Sequence, residues 1–172
     1  MKIITDPAIL VQEIEQYKSS NTKIGFVPTM GALHAGHIAL VKRAVSETDI
    51  CIVSIFVNPT QFNNKTDLDK YPRNLDKDAA LLEEAGCKLI FAPNSTDIYT
   101  QEELNTSFEF DFGGLDSVME GKFRPGHFNG VVQIVSKLFN LVKPDNAYFG
   151  EKDFQQLAII HRMVNILNYD IH

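Results

Sequence analysis

Two imidazoles three residues apart, His34 and His37, sit in the segment Pro28-Thr29-Met30-Gly31-Ala32-Leu33-His34-Ala35-Gly36-His37. An apolar run, Lys23-Ile24-Gly25-Phe26-Val27, precedes it and Ile38-Ala39-Leu40-Val41 follows, a pattern that predicts strand, loop, helix. At a helix start the unpaired N–H groups and the positive end of the dipole already favour an anion. Imidazole N–H donors added there make a site for phosphate groups. Gly36, between the rings, would let a flat ligand approach the backbone. The competing reading is an ordinary helix start with two solvated histidines. The strand before, Gly31 and Gly36, and the helix after favour nucleotide binding.

Three other segments carry candidate chemistry. Asn58-Pro59-Thr60-Gln61-Phe62 follows a long apolar run and offers two amides, both donors and acceptors, suited to a hydroxyl or carboxylate. Turn chemistry at Asn-Pro weighs equally there. Arg124-Pro125-Gly126-His127-Phe128-Asn129-Gly130 sets a cation and an imidazole just before a helix, where they would fit a polyphosphate. A surface loop with Asn129 as helix cap is its rival. In Gly150-Glu151-Lys152-Asp153-Phe154-Gln155-Gln156, Gly150 permits close backbone approach and Lys152 is a point charge suited to phosphate. Asp153 could accept from ribose hydroxyls or cap the next helix, and Gln155 and Gln156 point to different helix faces, so that one of them meets a pocket. Asp67, Asp69, Asp76 and Asp78 form an acidic cluster that could touch magnesium but reads more readily as a solvated face; no protein metal ligand is assigned. There is no Walker A sequence, no GxGxxG and no nucleophile elbow.

The elements that must position these residues alternate between strand and helix. Asp6-Pro7 opens a helix through Tyr17, with Asp as N-cap and Pro at the first helical position. A strand over 23–27 and a helix from about 37 to 47 follow. The nearly unbroken apolar run 49–57 fits a central parallel strand. A helix over 76–84 stops before Gly86. A strand over 88–91, a helix over 129–142, a strand over 147–149 and a helix over 154–167 complete the series. The class is therefore α/β, a doubly wound parallel sheet with helices on both faces. In such sheets ligands bind beyond the carboxyl ends of the strands; each of these motifs follows a strand or lies in a loop, and they should converge on one edge. The more polar stretch 94–126 reads as an excursion, with a small hairpin over 107–112.

Composition sets outer bounds. The 172 residues suffice for one domain with a substantial core, or for the first part of a larger protein. Sixteen basic against 22 acidic residues give a net charge of −6, which argues against a general nucleic-acid or membrane-surface binder but not against a small anion. Cys51 and Cys87 lie in apolar contexts without metal spacing, as reduced thiols of a cytoplasmic protein would. No signal peptide and no run of membrane-spanning length is visible.

Taken in order, PTMGALHAGH, NPTQF, RPGHFNGV and YFGEKDFQQL resemble the pantoate–β-alanine ligase family, the pantothenate synthetases, over essentially the whole chain. The first motif alone would indicate only the HIGH-type nucleotidyltransferase superfamily, with its Rossmann-like (HUP) fold. The resemblance implies attack of the pantoate carboxylate on the α-phosphorus of ATP, then displacement of AMP by the β-alanine amine. It implies ATP binding by Met30, Gly31, Ala32, Leu33, His34, Ala35, Gly36 and His37 and by Gly150, Glu151, Lys152 and Asp153, with His37 as proton donor aided by His34. Gln61 and Gln156 would hold pantoate beside Pro28 and Met30, with Gln61 near β-alanine; Asn58, Arg124 and His127 carry over less directly. It further implies Mg2+ with the ATP phosphates and a homodimer. Residues 1–172 would be the N-terminal ATP- and pantoate-binding domain, the C-terminal domain and its Ser-Ser-Arg-Asn-type loop lying outside this chain. A binding or dimerisation module without turnover, and another adenylyltransferase of the superfamily, are the alternatives.

Overall fold

The computed structural model describes residues 1–106 and 108–172. Five parallel strands, β1 (Lys2–Ile4), β2 (Ile24–Thr29), β3 (Ile50–Ile55), β4 (Leu89–Phe91) and β5 (Asn146–Ala147), form one sheet in the order β1-β4-β3-β2-β5. Helices α1 (Pro7–Ser19), α2 (Ala35–Glu47), α3 (Lys65–Lys70) and α4 (Leu75–Glu84) link the first four strands. Between β4 and β5 run α5 (Ser95–Ile98), α6 (Gln101–Asn105), α7 (Met119–Phe123) and α8 (His127–Val142); α9 (Phe154–Ile166) follows β5.

Successive strand residues face opposite layers. Phe26, Ile52 and Leu89 pack with α1, α8 and α9, whereas Val27, Val53 and Ile90 pack with α2 and α4. Coverage of both faces is what the unbroken apolar strand sequences demand. Cys51 and Cys87 are buried, free thiols. From β2 the chain winds outward to β3 on one side and returns to β5 on the other. The order reverses between β2 and β5, so a crevice opens beyond their carboxyl ends.

Several expectations shift. The edge strand β1 has no counterpart in the sequence reading: three residues carry no readable alternation, and only pairing with β4 (Ile3 opposite Ile90) makes them a strand. The hairpin expected over 107–112 begins at Ser107, outside the described residues, and 108–112 contains no strand. Its alternating phenylalanines pack on the α1/α8 core instead, with Phe112 buried. Arg162 of α9 clamps the Asp111 backbone carbonyl at 2.6 Å, and Gly113 and Gly114 turn the chain at φ 58° and 85°. Asn129 is no cap either. The last helix before β5 starts at His127 behind Gly126 (φ 78°), and the Asn129 amide donates to the Phe108 carbonyl at 2.6 Å.

Candidate active site

The turn from β2 into α2 is built before any ligand arrives. His34 is the N-cap, and its Nδ1 accepts from the Gly36 N–H at 3.1 Å, while His37 Nδ1 accepts from the His34 N–H at 3.4 Å. This is a capping box made of imidazoles. With both Nδ1 atoms accepting, each neutral ring carries its proton on Nε2 and donates there. The rings lie 4.1 Å apart. Burial, followed by the neighbouring His34, holds His37 below the ordinary histidine range. Gly36 leaves room for the His34 ring, which a Cβ would meet at 3.0 Å, so the space expected for a ligand is taken by the cap itself.

The loop ahead of the cap hangs on Asp78. This carboxylate from the first turns of α4 is 2 % exposed, and its two oxygens accept from the Ala32 and Leu33 N–H groups at 2.9 Å each. Ala32 is thereby held at φ 52°, a left-handed conformation unfavourable for a side-chain-bearing residue. Gly31 (φ 81°) passes so close that a Cβ would stand 3.0 Å from Asp78 Oδ2. Of the acidic cluster, only Asp67, Asp69 and Asp76 are solvated; Asp78 is an interior anchor that composition could not single out. Among the described residues no three His, Cys, Asp or Glu side chains converge to hold a metal ion.

Across β2, the turn from β5 into α9 is a short 3-10 segment, Glu151–Asp153, whose residues are exposed. Asp153 occupies the N-cap position of α9 without making a side-chain cap bond. The space a Cβ would fill at Gly150 is open. Gln155 and Gln156 do part ways. Gln155 is buried and ties α9 to the Glu120 N–H and to the Leu115 and Val118 carbonyls, whereas Gln156 faces the crevice.

Between the two turns lies a cavity of about 170 Å³. Pro28, Met30, His37, Asn58, Gln61, Asp153 and Gln156 line it, with Tyr71, Phe149 and the Val131, Ile134, Val135 and Leu138 face of α8 as further wall. Tyr71 and α8 do not stand out in the sequence as site residues, since their apolar character reads equally as core. A larger cavity, about 380 Å³, runs along the outer edge of β5; it takes in Glu151 and none of the converging donors.

The floor is an amide cluster. The Asn58 side chain donates to Gln61 Oε1 at 3.1 Å, and the Gln61 nitrogen points to Met30 Sδ at 3.0 Å. His127 is 5 % exposed and bonds through Nδ1 to the Gln61 carbonyl at 2.9 Å, so it supports the floor from behind; burial lowers its pKa. Gly130 is required by contact, because a Cβ would sit 2.5 Å from the Thr60 carbonyl oxygen. Arg124 pairs with Glu120 and borders a separate cavity beside Asp116 and Asn129. Leu33 contributes backbone only, its side chain being buried in the α2/α4 layer. No helix is long and apolar enough to cross a membrane among the described residues.

The chain and its fold have counterparts among known proteins. A family model described as pantoate-beta-alanine ligase matches residues 2–172. A pantothenate synthetase of Bacteroides thetaiotaomicron is 57% identical over 171 residues, covering 99% of this chain and 60% of the relative. One from Porphyromonas gingivalis is 54% identical with the same coverage. The crystal structure of pantothenate synthetase from Thermus thermophilus superimposes with a TM-score of 0.91 at 44% identity, over 100% of this chain and 60% of that one. The pantoate-beta-alanine ligase of Francisella tularensis, complexed with beta-gamma ATP and beta-alanine, gives 0.88 at 42% identity, over 100% and 66%. The chain thus spans about 60% of the length of these curated relatives.

Proposed function

The chain belongs to the pantoate–β-alanine ligase family, and on that premise we propose that it binds ATP and pantoate across the β2/β5 junction to form pantoyl adenylate. The observation that carries this reading is the convergence of two helix-start turns on one cavity at the point where the strand order reverses. The cavity is smaller than those that enclose drug-sized ligands, which suits a short hydroxy acid and leaves the nucleotide over its mouth.

The acid sits between Gln61 and Gln156 against Pro28 and Met30, its carboxylate directed at the α-phosphorus. ATP lies along residues 30–37 and 150–153, with Lys152 on phosphate and Asp153 on ribose. His34 and His37 offer Nε2–H donors to the phosphate oxygens. Charge develops there as the carboxylate–phosphorus bond forms and pyrophosphate leaves. The amine of β-alanine then attacks the acyl carbon near Gln61, releasing AMP. Magnesium arrives with the ATP phosphates as part of the substrate.

Residues 1–172 act as the ATP- and pantoate-binding domain of a cytoplasmic enzyme. A homodimer is part of the same reading, supported by the exposed apolar side chains Met119, Phe123 and Phe154 around α7 and the start of α9. The test is pantoate-dependent exchange of labelled pyrophosphate into ATP by this chain. Exchange with pantoate alone among a panel of acids supports the reading. Binding of both ligands without exchange would make the chain a binding module whose chemistry needs further residues.

A further inference from the structure

Tyr99 follows α5 in the polar excursion between β4 and α8, and no role in the site has fallen to it. It is 4 % exposed, and its hydroxyl donates to Asn58 Oδ1 at 2.8 Å. Asn58, 1 % exposed, uses all of its side-chain hydrogen-bonding capacity. Oδ1 also accepts from Thr60 Oγ1 at 3.2 Å, and Nδ2 donates to Gln61 Oε1 at 3.1 Å and to the Gly130 carbonyl at 3.0 Å. A backbone carbonyl can only accept, so Gly130 dictates which end of the Asn58 amide is nitrogen. Tyr99 then holds the oxygen end.

The consequence passes to Gln61. With its oxygen engaged by Asn58, its nitrogen is turned toward the cavity, where Met30 Sδ, a weak acceptor, stands at 3.0 Å. Tyr99, Asn58 and Gln61 donate in one direction, an arrangement in which each bond polarises the next. Burial pushes the Tyr99 hydroxyl up to about 12, which keeps it a donor throughout the neutral range.

We propose that Tyr99 is a positioning residue that, through Asn58, locks Gln61 with its N–H donors facing the pocket, so that the pocket selects a ligand oxygen bearing a lone pair. This deepens the reading of the cavity as the pantoate site and rests on it for the identity of the acid. It explains why an element remote from the nucleotide turns packs a tyrosine against the floor.

The test uses Tyr99→Phe, which keeps the ring and removes the hydroxyl. In the ligand-free protein, the side-chain NH2 resonances of Asn58 and Gln61 should both move, with the Ala32 and Leu33 backbone amides unchanged. Calorimetry should show pantoate bound roughly 5-fold more weakly, the equivalent of one neutral hydrogen bond, with ATP affinity unaltered. Asn58→Asp goes further by setting oxygens against the Gly130 carbonyl and Gln61 Oε1. Gln61 should then turn over and present its oxygen, so pantoate loses far more affinity than its primary amide does. An unmoved Gln61 resonance, or equal weakening of pantoate and ATP in Tyr99→Phe, would overturn the proposal. If the unmodified chain binds no pantoate, the assignment of the cavity fails, while the Gln61 resonance still decides the relay.

Discussion

The turns leaving β2 and β5 face each other across the same crevice, yet they are held in place very differently. Behind the first, a buried carboxylate takes two backbone N–H groups, a non-glycine residue is pinned at positive φ, and two imidazoles each accept a backbone N–H of the helix start. Behind the second, the N-cap side chain makes no cap bond, residues 151–153 are exposed and Gly150 borders open space. On the proposed function, the difference separates two tasks. Donors that stabilise charge appearing during reaction act best when fixed beforehand, because nothing then has to reorganise. Contacts that merely hold a nucleotide tolerate exposed, adjustable side chains at a modest gain each. The preorganised half costs a buried carboxyl group and backbone strain; the other half costs little.

The contrast can be broken most directly at the imidazoles. In a protein of the relatives' full length, His37→Ala should slow pyrophosphate exchange about 100- to 1000-fold, as for one preorganised donor. Lys152→Ala should instead act mainly on the KM for ATP. Equal losses in turnover from the two substitutions would erase the distinction. Stability gives the next largest contrast. Asp78→Ala strands the buried Leu33 N–H and the part-buried Ala32 N–H and should lower the unfolding free energy in urea by about 3 kcal/mol. Asp153→Ala should change it by no more than about 0.5 kcal/mol. A silent Asp78 substitution would mean that the loop holds itself.

Gln61→Ala sharpens the comparison from the floor: pantoate affinity should fall about 10-fold, as for one well-placed hydrogen bond, with ATP little affected. Matching losses would make Gln61 a fold residue. The smallest effect is on pH dependence. Burial lowers the pKa of both His37 and His127, so the folded protein binds fewer protons than the unfolded chain below about 6.5. Their contribution is fully present above that pH and is lost as the pH falls through the folded values. Urea midpoints should therefore drop between about pH 7 and pH 5, less steeply in His127→Gln.

Elements are legible in the sequence where one local signal suffices and illegible where a partner is needed. Asp6-Pro7 announces α1, and the apolar run around Ile52 announces a strand covered on both faces, because cap chemistry and periodicity are written in consecutive residues. β1 carries no such signal in three residues. Phe108, Phe110 and Phe112 alternate as a strand would, but the core beneath them supplied a better use for their rings than pairing did. Gln155 and Gln156 could be told to diverge; which one stays buried depended on where α7 lies.

By itself the sequence determined the α/β class, the two helix starts with their donors and glycines, and the family to which those motifs point, since each is a property of neighbouring residues. Only the tertiary structure decided that Asp78 leaves its acidic neighbours to anchor residues 32 and 33, that His127 stands behind Gln61 while Arg124 faces elsewhere, and that Tyr99 reaches Asn58. These contacts join residues tens of positions apart. Their geometry is fixed by how helices pack on the sheet, and a buried polar group must find its partner wherever that packing brings one.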